Sequence, residues 1–418
     1  MLASKTTLAV LGLALLSACA TPPGSPRHSG SVNGGVSSER LARIAPVMHA
    51  EVDKGTFPGA VTLVARHGRI VHFEATGFAD AAKTRPMNRD AIFRLASMTK
   101  PIVTTAAMML VEQGVLKLSD PVANWLPELK DVKVETPAGD VVPSRPITVQ
   151  DLMRHTAGFV YSGSTRSPRI KKLYEDLNIE SREVDISADE MLKRLGTVPL
   201  AHQPGTFWEY SIATDVLGLL LERVTKRSLD NVLREMLFDP LGMKDTGWWV
   251  AGDRRARLAD TLDSDAQKAT MLKGYRQFDN PVGKSYLKGG AGLVGTAEDY
   301  LKFAQMIVDG GEYGGRRYLS KKTVEFMLSD HTVGMGGTTQ ATTGPGYGFG
   351  LGFGVRLHDG VAWVPGSKGD AMWAGAWGTS FWIDPKEGLV GILMAQSPSN
   401  RIHTRMLFKN LVYASIVE

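Results

Sequence analysis

Phe93-Arg94-Leu95-Ala96-Ser97-Met98-Thr99-Lys100-Pro101 runs into a pattern of helical period, with Ile102, Val103, Ala106, Met109 and Leu110 on one face and Gly114 past its end. Pro101 is tolerated because first-turn amides have no intrahelical acceptor. Ser97 and Lys100 stand three residues apart, which on a helix places hydroxyl and amine on one face within reach of each other. The amine can take the hydroxyl proton only if its ammonium form is destabilised. Burial and the positive end of a helix both do this, and the same end favours a developing oxyanion. Alone the motif is weak, since on the order of one Ser-x-x-Lys is expected by chance in a chain this long. Ser97 reads equally well as a simple helix cap. A second copy, Ser285-Tyr286-Leu287-Lys288, precedes Gly289-Gly290 with no apolar helix behind it and reads as a loop coincidence.

Outward from this stretch, residues 39–54 carry Leu41, Ile44, Ala45 and Met48 at helical spacing and end at Gly55, which predicts an amphipathic opening helix. Residues 60–65 and 70–73 flank Arg66-His67-Gly68-Arg69 as an antiparallel hairpin. Helical patterns dominate as far as Leu262, most clearly over 149–153 and 213–224. Strands return over 347–357, 372–383 and 389–395, with turns at His358-Asp359-Gly360 and at 384–388. Thr296-Ala297-Glu298-Asp299 reads as a helix start, and a last helix is expected from Arg401 to about Val412. Strands at both ends and helices between predict an α/β domain from 39–105 and 263–418, interrupted by an all-helical domain over 106–262. No internal repeat is present.

Four ordered segments carry a family resemblance. The stretch from Phe93 to Pro101 resembles the nucleophile segment of the serine β-lactamase-like superfamily, which includes class C β-lactamases and penicillin-binding proteins, and in particular that of the family VIII carboxylesterases. Leu152-Met153-Arg154-His155-Thr156-Ala157-Gly158 resembles its Leu-Leu-x-His-Thr-Ser-Gly turn. Tyr210-Ser211-Ile212, followed by Asp215-Val216-Leu217-Gly218, resembles the second catalytic element. Trp373-Ala374-Gly375-Ala376-Trp377-Gly378 resembles the strand closing the far side of the site. The implied fold is α/β, a β-lactamase-like antiparallel sheet flanked by helices with an inserted all-helical domain, and the site lies in the groove between them. The implied roles are Ser97 as acyl-accepting nucleophile, with Lys100 and Tyr210 sharing the general-base work. The amides of Ser97 and Ala376 would form the oxyanion hole, each donor worth roughly 3 kcal/mol in the transition state. Trp373 and Gly375 would line the substrate side.

Departures from the penicillin-recognising pattern bear on substrate. Trp373-Ala374-Gly375 replaces the usual Lys-Thr-Gly, removing the cation and hydroxyl that meet a substrate carboxylate, and Ile212 replaces a common Asn. A flat apolar wall suits an uncharged acyl ester better than an anionic lactam. The expected activity is therefore hydrolysis of small carboxylic esters. The alternatives are a β-lactamase or D-amino-acid peptidase of the same superfamily and, from another class, a non-catalytic envelope protein that binds cell-wall or lipid ligands. Residues His155 and Tyr210 also read as a turn-stabilising histidine and a core tyrosine, and Trp373 as a packing aromatic. A complete Gly-x-Ser-x-Gly is absent, which disfavours an α/β-hydrolase, and scattered histidines and acids give no metal-ligand spacing; no cofactor is expected.

The chain of 418 residues is 43% apolar and 22% charged, ordinary for a globular protein. Its net charge of +5, from 48 basic and 43 acidic residues, is spread without a basic stripe, so no nucleic-acid partner is expected. Lys5 precedes an apolar run over 8–16, which reads as a signal peptide (1–18) too short to remain as a span. Leu16-Ser17-Ala18-Cys19 has the form of a lipoprotein box, although Ala18-Cys19-Ala20 would also serve ordinary cleavage. Cys19 is the only cysteine, which excludes a disulfide within one chain. In the lipoprotein reading, a Pro-, Gly- and Ser-rich stretch over 19–38 is a tether holding the protein to a membrane. Ala20, not an acidic residue, follows the cysteine; by resemblance to bacterial lipoproteins that implies a periplasm-facing place in the cell envelope, at the outer membrane.

Overall fold

The computed structural model describes residues 32–180, 185–250, 252–273 and 286–418. The leader, Cys19 and most of the tether lie outside the described residues.

Seven strands form the main sheet: β1 (Gly59–Arg66), β2 (Arg69–Gly77), β3 (Tyr347–Phe349), β4 (Gly354–Arg356), β5 (Ala371–Ala374), β6 (Ser380–Asp384) and β7 (Leu389–Ala395). Their order is β3-β4-β5-β6-β7-β1-β2, and every neighbour is antiparallel. The N-terminal hairpin thus completes a sheet begun by the C-terminal third, with Leu389 opposite Arg66 and Ala395 opposite Ala60. Its turn uses the left-handed conformation at both His67 (φ 49°) and Gly68 (φ 75°), whose twist suits a two-residue hairpin.

Strand periodicity fixes which side chains face which layer. Val390, Ile392 and Met394 of β7 join Val61, Leu63 and Ala65 of β1 in the larger core. Leu389, Leu393 and Ala395 join Ala60 and Val64 on the opposite face. Helices α1 (Ile44–Asp53) and α6 (Arg401–Tyr413) cover that second face through Ile44, Met48, Val52, Phe408 and Val412. On the first face lies α5 (Ala297–Val308), its Tyr300 ring 4.8 Å from Phe381 of β6. Thr296 caps α5 by accepting from the Asp299 amide, as its sequence predicts.

The same core continues without a break into the helical part, where α2 (Thr99–Glu112), α3 (Val149–Met153) and α4 (Ala213–Thr225) pack through Ile102, Val103, Ala106, Leu152, Val216 and Leu220. The predicted boundary at 105/106 therefore falls inside one helix. α2 is a shared element: its first turn belongs to the site and the rest to the helical core.

Three further expectations are corrected. Residues 32–38, assigned to the tether, are part of the fold: Val32–Asn33 pairs with Val36–Ser37, and the Ser37 amide donates to the Ser415 carbonyl at 2.8 Å. The opening helix is broken into Ser38–Leu41 and α1. Pro46 explains the break, because it has no N–H for the Ala42 carbonyl and its ring would crowd that carbonyl, so it is accommodated only in a new first turn. Finally, 347–357 and 372–383 are each two strands, joined through the Gly350-Leu351-Gly352 turn and the 375–379 turn. Period-two reading cannot see a reversal whose turn residues are themselves apolar or small.

One buried charge network ties β3, β4 and α6 together. Asp370 accepts from Tyr347 Oη at 2.8 Å, Arg356 Nε at 2.8 Å and Lys409 Nζ at 3.0 Å, and the carboxylate is fully buried. Removing the shared anion would leave two buried cations uncompensated. Asp370→Ala is expected to lower the unfolding free energy by about 3–5 kcal/mol, measured by urea denaturation; a loss under about 1 kcal/mol would contradict that account.

Candidate active site

Phe93–Arg94 is a short strand paired with Val294–Gly295, and it delivers the chain into a 3₁₀ turn, Ala96–Met98, that runs directly into α2. Ala96 has φ 48°, a left-handed conformation that costs a non-glycine residue of order 1 kcal/mol or more. The bend lifts Ser97 out of the helix while Lys100 stays inside its first turn. Ser97 is not the cap of α2: that position is Met98, which makes no side-chain cap bond.

Lys100 is completely buried. Its Nζ lies 3.3 Å from Ser97 Oγ, 3.2 Å from Tyr161 Oη and 2.6 Å from the Gly290 carbonyl oxygen. An ammonium has three N–H donors, and these three oxygens accept all of them. A neutral amine would keep two as acceptors and turn its lone pair to the Ser97 hydroxyl. The same geometry thus serves the lysine with or without its proton.

Tyr210 sits beside this amine, its ring centroid 4.6 Å from Lys100 Nζ and 5.3 Å from the Tyr161 ring. Its hydroxyl is buried without a hydrogen-bond partner among the described residues. Tyr161 rather than Tyr210 takes the hydrogen bond from Lys100 Nζ, and the phenol of Tyr210 is uncommitted among the described residues. His155 packs edge-on against Tyr210 at 4.9 Å, with Nδ1 3.2 Å from Ser211 Oγ. Burial, aided by the Lys100 charge, holds the His155 pKa well below its ordinary value. At φ 58° in its turn, it is a neutral packing residue that positions Tyr210.

Trp373 also differs from the expected wall. Its indole is fully buried, 5.3 Å from the Tyr210 ring and 5.2 Å from Phe349, so it backs the tyrosine from behind. Ile212 is likewise buried. Beyond Trp373, the Gly375 amide donates to Thr379 O at 2.8 Å and Gly378 to Gly375 O at 3.0 Å, closing a tight turn with Ala376 exposed at its tip. This turn is held next to the segment that leads into Ser97, since Thr379 Oγ1 donates to Leu95 O at 3.2 Å.

Two participants escaped sequence reading. Tyr161 follows the His155 turn by six residues with no motif to mark it. Gly290 belongs to the segment after the second Ser-x-x-Lys, whose serine lies outside the described residues. That loop is no bystander: a Cβ on Gly289 would lie 2.6 Å from Thr214 O, and one on Gly290 2.6 Å from Asp215 Oδ2. Only two glycines let the loop press on α4, where the Gly290 amide donates to Asp215 Oδ1 at 3.0 Å and its carbonyl meets Lys100.

A hydroxyl raised on a strained turn, a buried amine against it and an uncommitted phenol alongside define a serine hydrolase built on an antiparallel sheet and a helical layer. The chain belongs to the beta-lactamase family, which its residues 44–410 match, and within that family to the family VIII carboxylesterases. It is 32% identical over 378 residues to esterase EstB of Burkholderia gladioli, covering 85% of this chain and 90% of that one. Protein Rv1367c of Mycobacterium tuberculosis is 35% identical over 357 residues, 82% of this chain and 87% of its own. Among solved structures, EstCE1, a hydrolase with promiscuous acyltransferase activity, superposes with a TM-score of 0.76 at 28% identity, over 91% of this chain and 99% of that one.

Proposed function

We propose that this protein hydrolyses small carboxylic esters through an acyl-enzyme on Ser97, with Lys100 and Tyr210 managing the proton. The observation that carries the reading is the buried Lys100 amine 3.3 Å from the Ser97 hydroxyl, its other hydrogen bonds already made to Tyr161 and Gly290. Ser97 Oγ attacks the ester carbonyl as its proton passes to the Lys100 amine, giving a tetrahedral oxyanion that the Ser97 and Ala376 amides receive. The carbon–oxygen bond to the alkoxide then breaks, and the alkoxide leaves as the alcohol with a proton relayed through Tyr210. Water, deprotonated by the same pair, attacks the acyl-Ser97 ester and releases the carboxylic acid. Esterase EstB supports the ester as substrate class, as does the loss of the Lys-Thr-Gly cation and hydroxyl at Trp373-Ala374-Gly375.

The test is hydrolysis of nitrophenyl butyrate by the protein from residue 32 onward, with a chromogenic cephalosporin in parallel. Ester turnover well above lactam turnover is expected; the reverse ranking would overturn the reading in favour of a β-lactamase. Tyr210→Phe is expected to lower kcat by about 10²–10⁴-fold with an unchanged melting temperature, because the hydroxyl it deletes makes no hydrogen bond among the described residues. Full activity in this variant would remove Tyr210 from the mechanism.

We further propose that Cys19 is acylated and that the mature protein is held at the outer membrane on its short tether, a reading supported by the lipoprotein box and the solitary cysteine. Cys19→Ala is expected to move the protein from the membrane fraction to the soluble envelope fraction. Retention in the membrane fraction would refute the anchor.

A further inference from the structure

Behind the closing strand lies a second pocket, between α6, the short helix Gln340–Thr343 and the 361–364 segment, with about 580 Å³ of empty space partly open to solvent. Trp363, Met372, Ile402 and Met406 give it apolar walls, and no acidic side chain lines it. Two large apolar side chains stand in water at its rim, Trp363 at 61% and Ile402 at 51% exposure. Two cations line it, Arg405 and Lys409.

The charges around this pocket do not balance. Lys409 and Arg356 share Asp370. The neighbouring carboxylate, Asp384, is occupied by the Tyr413 hydroxyl at 2.8 Å and by the amides of Ser367, Lys386 and Glu387. Arg405 is left as the cation with no carboxylate within ion-pair distance among the described residues. Its Nη2 donates to the carbonyls of Gly375 and Thr379, and its Nε is buried with no partner among the described residues. Burial, with the like charge of Arg401, lowers its pKa to about 9, so it is still a cation at neutral pH.

A half-buried guanidinium whose buried Nε lacks an acceptor is costly until an anion meets it, and the apolar walls select what that anion is attached to. We propose that this pocket binds a carboxylate with an apolar body, of the size of a short or medium-chain fatty acid, its headgroup on Arg405 and its chain between Trp363, Met372, Ile402 and Met406. Arg405 holds both ends of the turn that carries Ala376, so an anion drawn onto Arg405 competes with the Gly375 and Thr379 carbonyls and reaches the catalytic turn directly. Where the ester reading above holds, such a ligand is chemically the acid that the reaction releases. The pocket is separate from the nucleophile's side of the strand.

The test is calorimetric titration of octanoate into the protein carrying Ser97→Ala, which forms no acyl-enzyme and needs no turnover, so the result is independent of the ester assay. Saturable binding is expected, about tenfold tighter than that of 1-octanol. It should weaken by at least about tenfold in Ile402→Glu, which sets a carboxylate at the exposed rim, and in Thr343→Trp, which fills the pocket from its wall. No saturable binding, equal affinity for octanol, or octanoate affinity unchanged in both folded variants would each overturn the proposal.

Discussion

Ser97→Ala is expected to lower kcat for nitrophenyl butyrate by about 10⁴–10⁶-fold, the span over which a nucleophile's loss abolishes covalent catalysis and leaves only binding and oxyanion stabilisation. The fold should be untouched, because Ser97 caps nothing: α2 begins without a side-chain cap, and the serine's partner is Lys100. The check is single: a fluorophosphonate should add one adduct to the native protein and none to the variant, by intact mass. An adduct of equal yield in Ser97→Ala would place the nucleophile elsewhere and sink the acyl-enzyme.

Lys100→Met is expected to cost at least about 10³-fold in kcat, because it removes the group proposed to accept the Ser97 proton. Methionine nearly matches the lysine in length, so the fully buried site stays filled. Removing a buried amine takes away its desolvation cost but leaves the Gly290 carbonyl without its donor, so unfolding in urea should show a loss of no more than about 1–3 kcal/mol. Lys100→Arg separates a base from a mere cation. A guanidinium keeps its proton at any working pH, so if Lys100 accepts a proton the arginine variant is as inactive as the methionine one. Recovery of activity with arginine would reduce Lys100 to a fixed positive charge.

Much of this site was legible along the chain. Ser97 and Lys100 are separated by three residues, so local helical geometry alone brings them to one face, and Tyr210 was marked by its ordered neighbours Ser211 and Asp215. The apolar runs over 60–65 and 389–395 likewise announced β1 and β7 as strands, and the Thr296 cap announced α5. Tyr161 and Gly290 were not legible, because each acts through a single oxygen supplied from 61 and 190 residues away from Lys100. No local periodicity encodes such a contact. Trp373 was recognised as belonging to the site but not as lying behind Tyr210, since a residue's strand position fixes its face and not what comes to cover it.

The sequence by itself determined that Ser97 and Lys100 share one helix face, that residues 60–65 and 389–395 are strands, and that the closing strand carries Trp373-Ala374-Gly375. These are consequences of backbone geometry over a few residues and of side-chain chemistry. Only the tertiary structure decided that the N-terminal hairpin completes a C-terminal sheet, that the apparent long strands fold back on themselves, and that a glycine loop supplies the acceptor holding Lys100. It alone also decided that Arg405 lies half-buried against the 375–379 turn with no carboxylate in ion-pair distance among the described residues. Each depends on which distant surfaces exclude water together, a property of the packed chain that no single stretch of it contains.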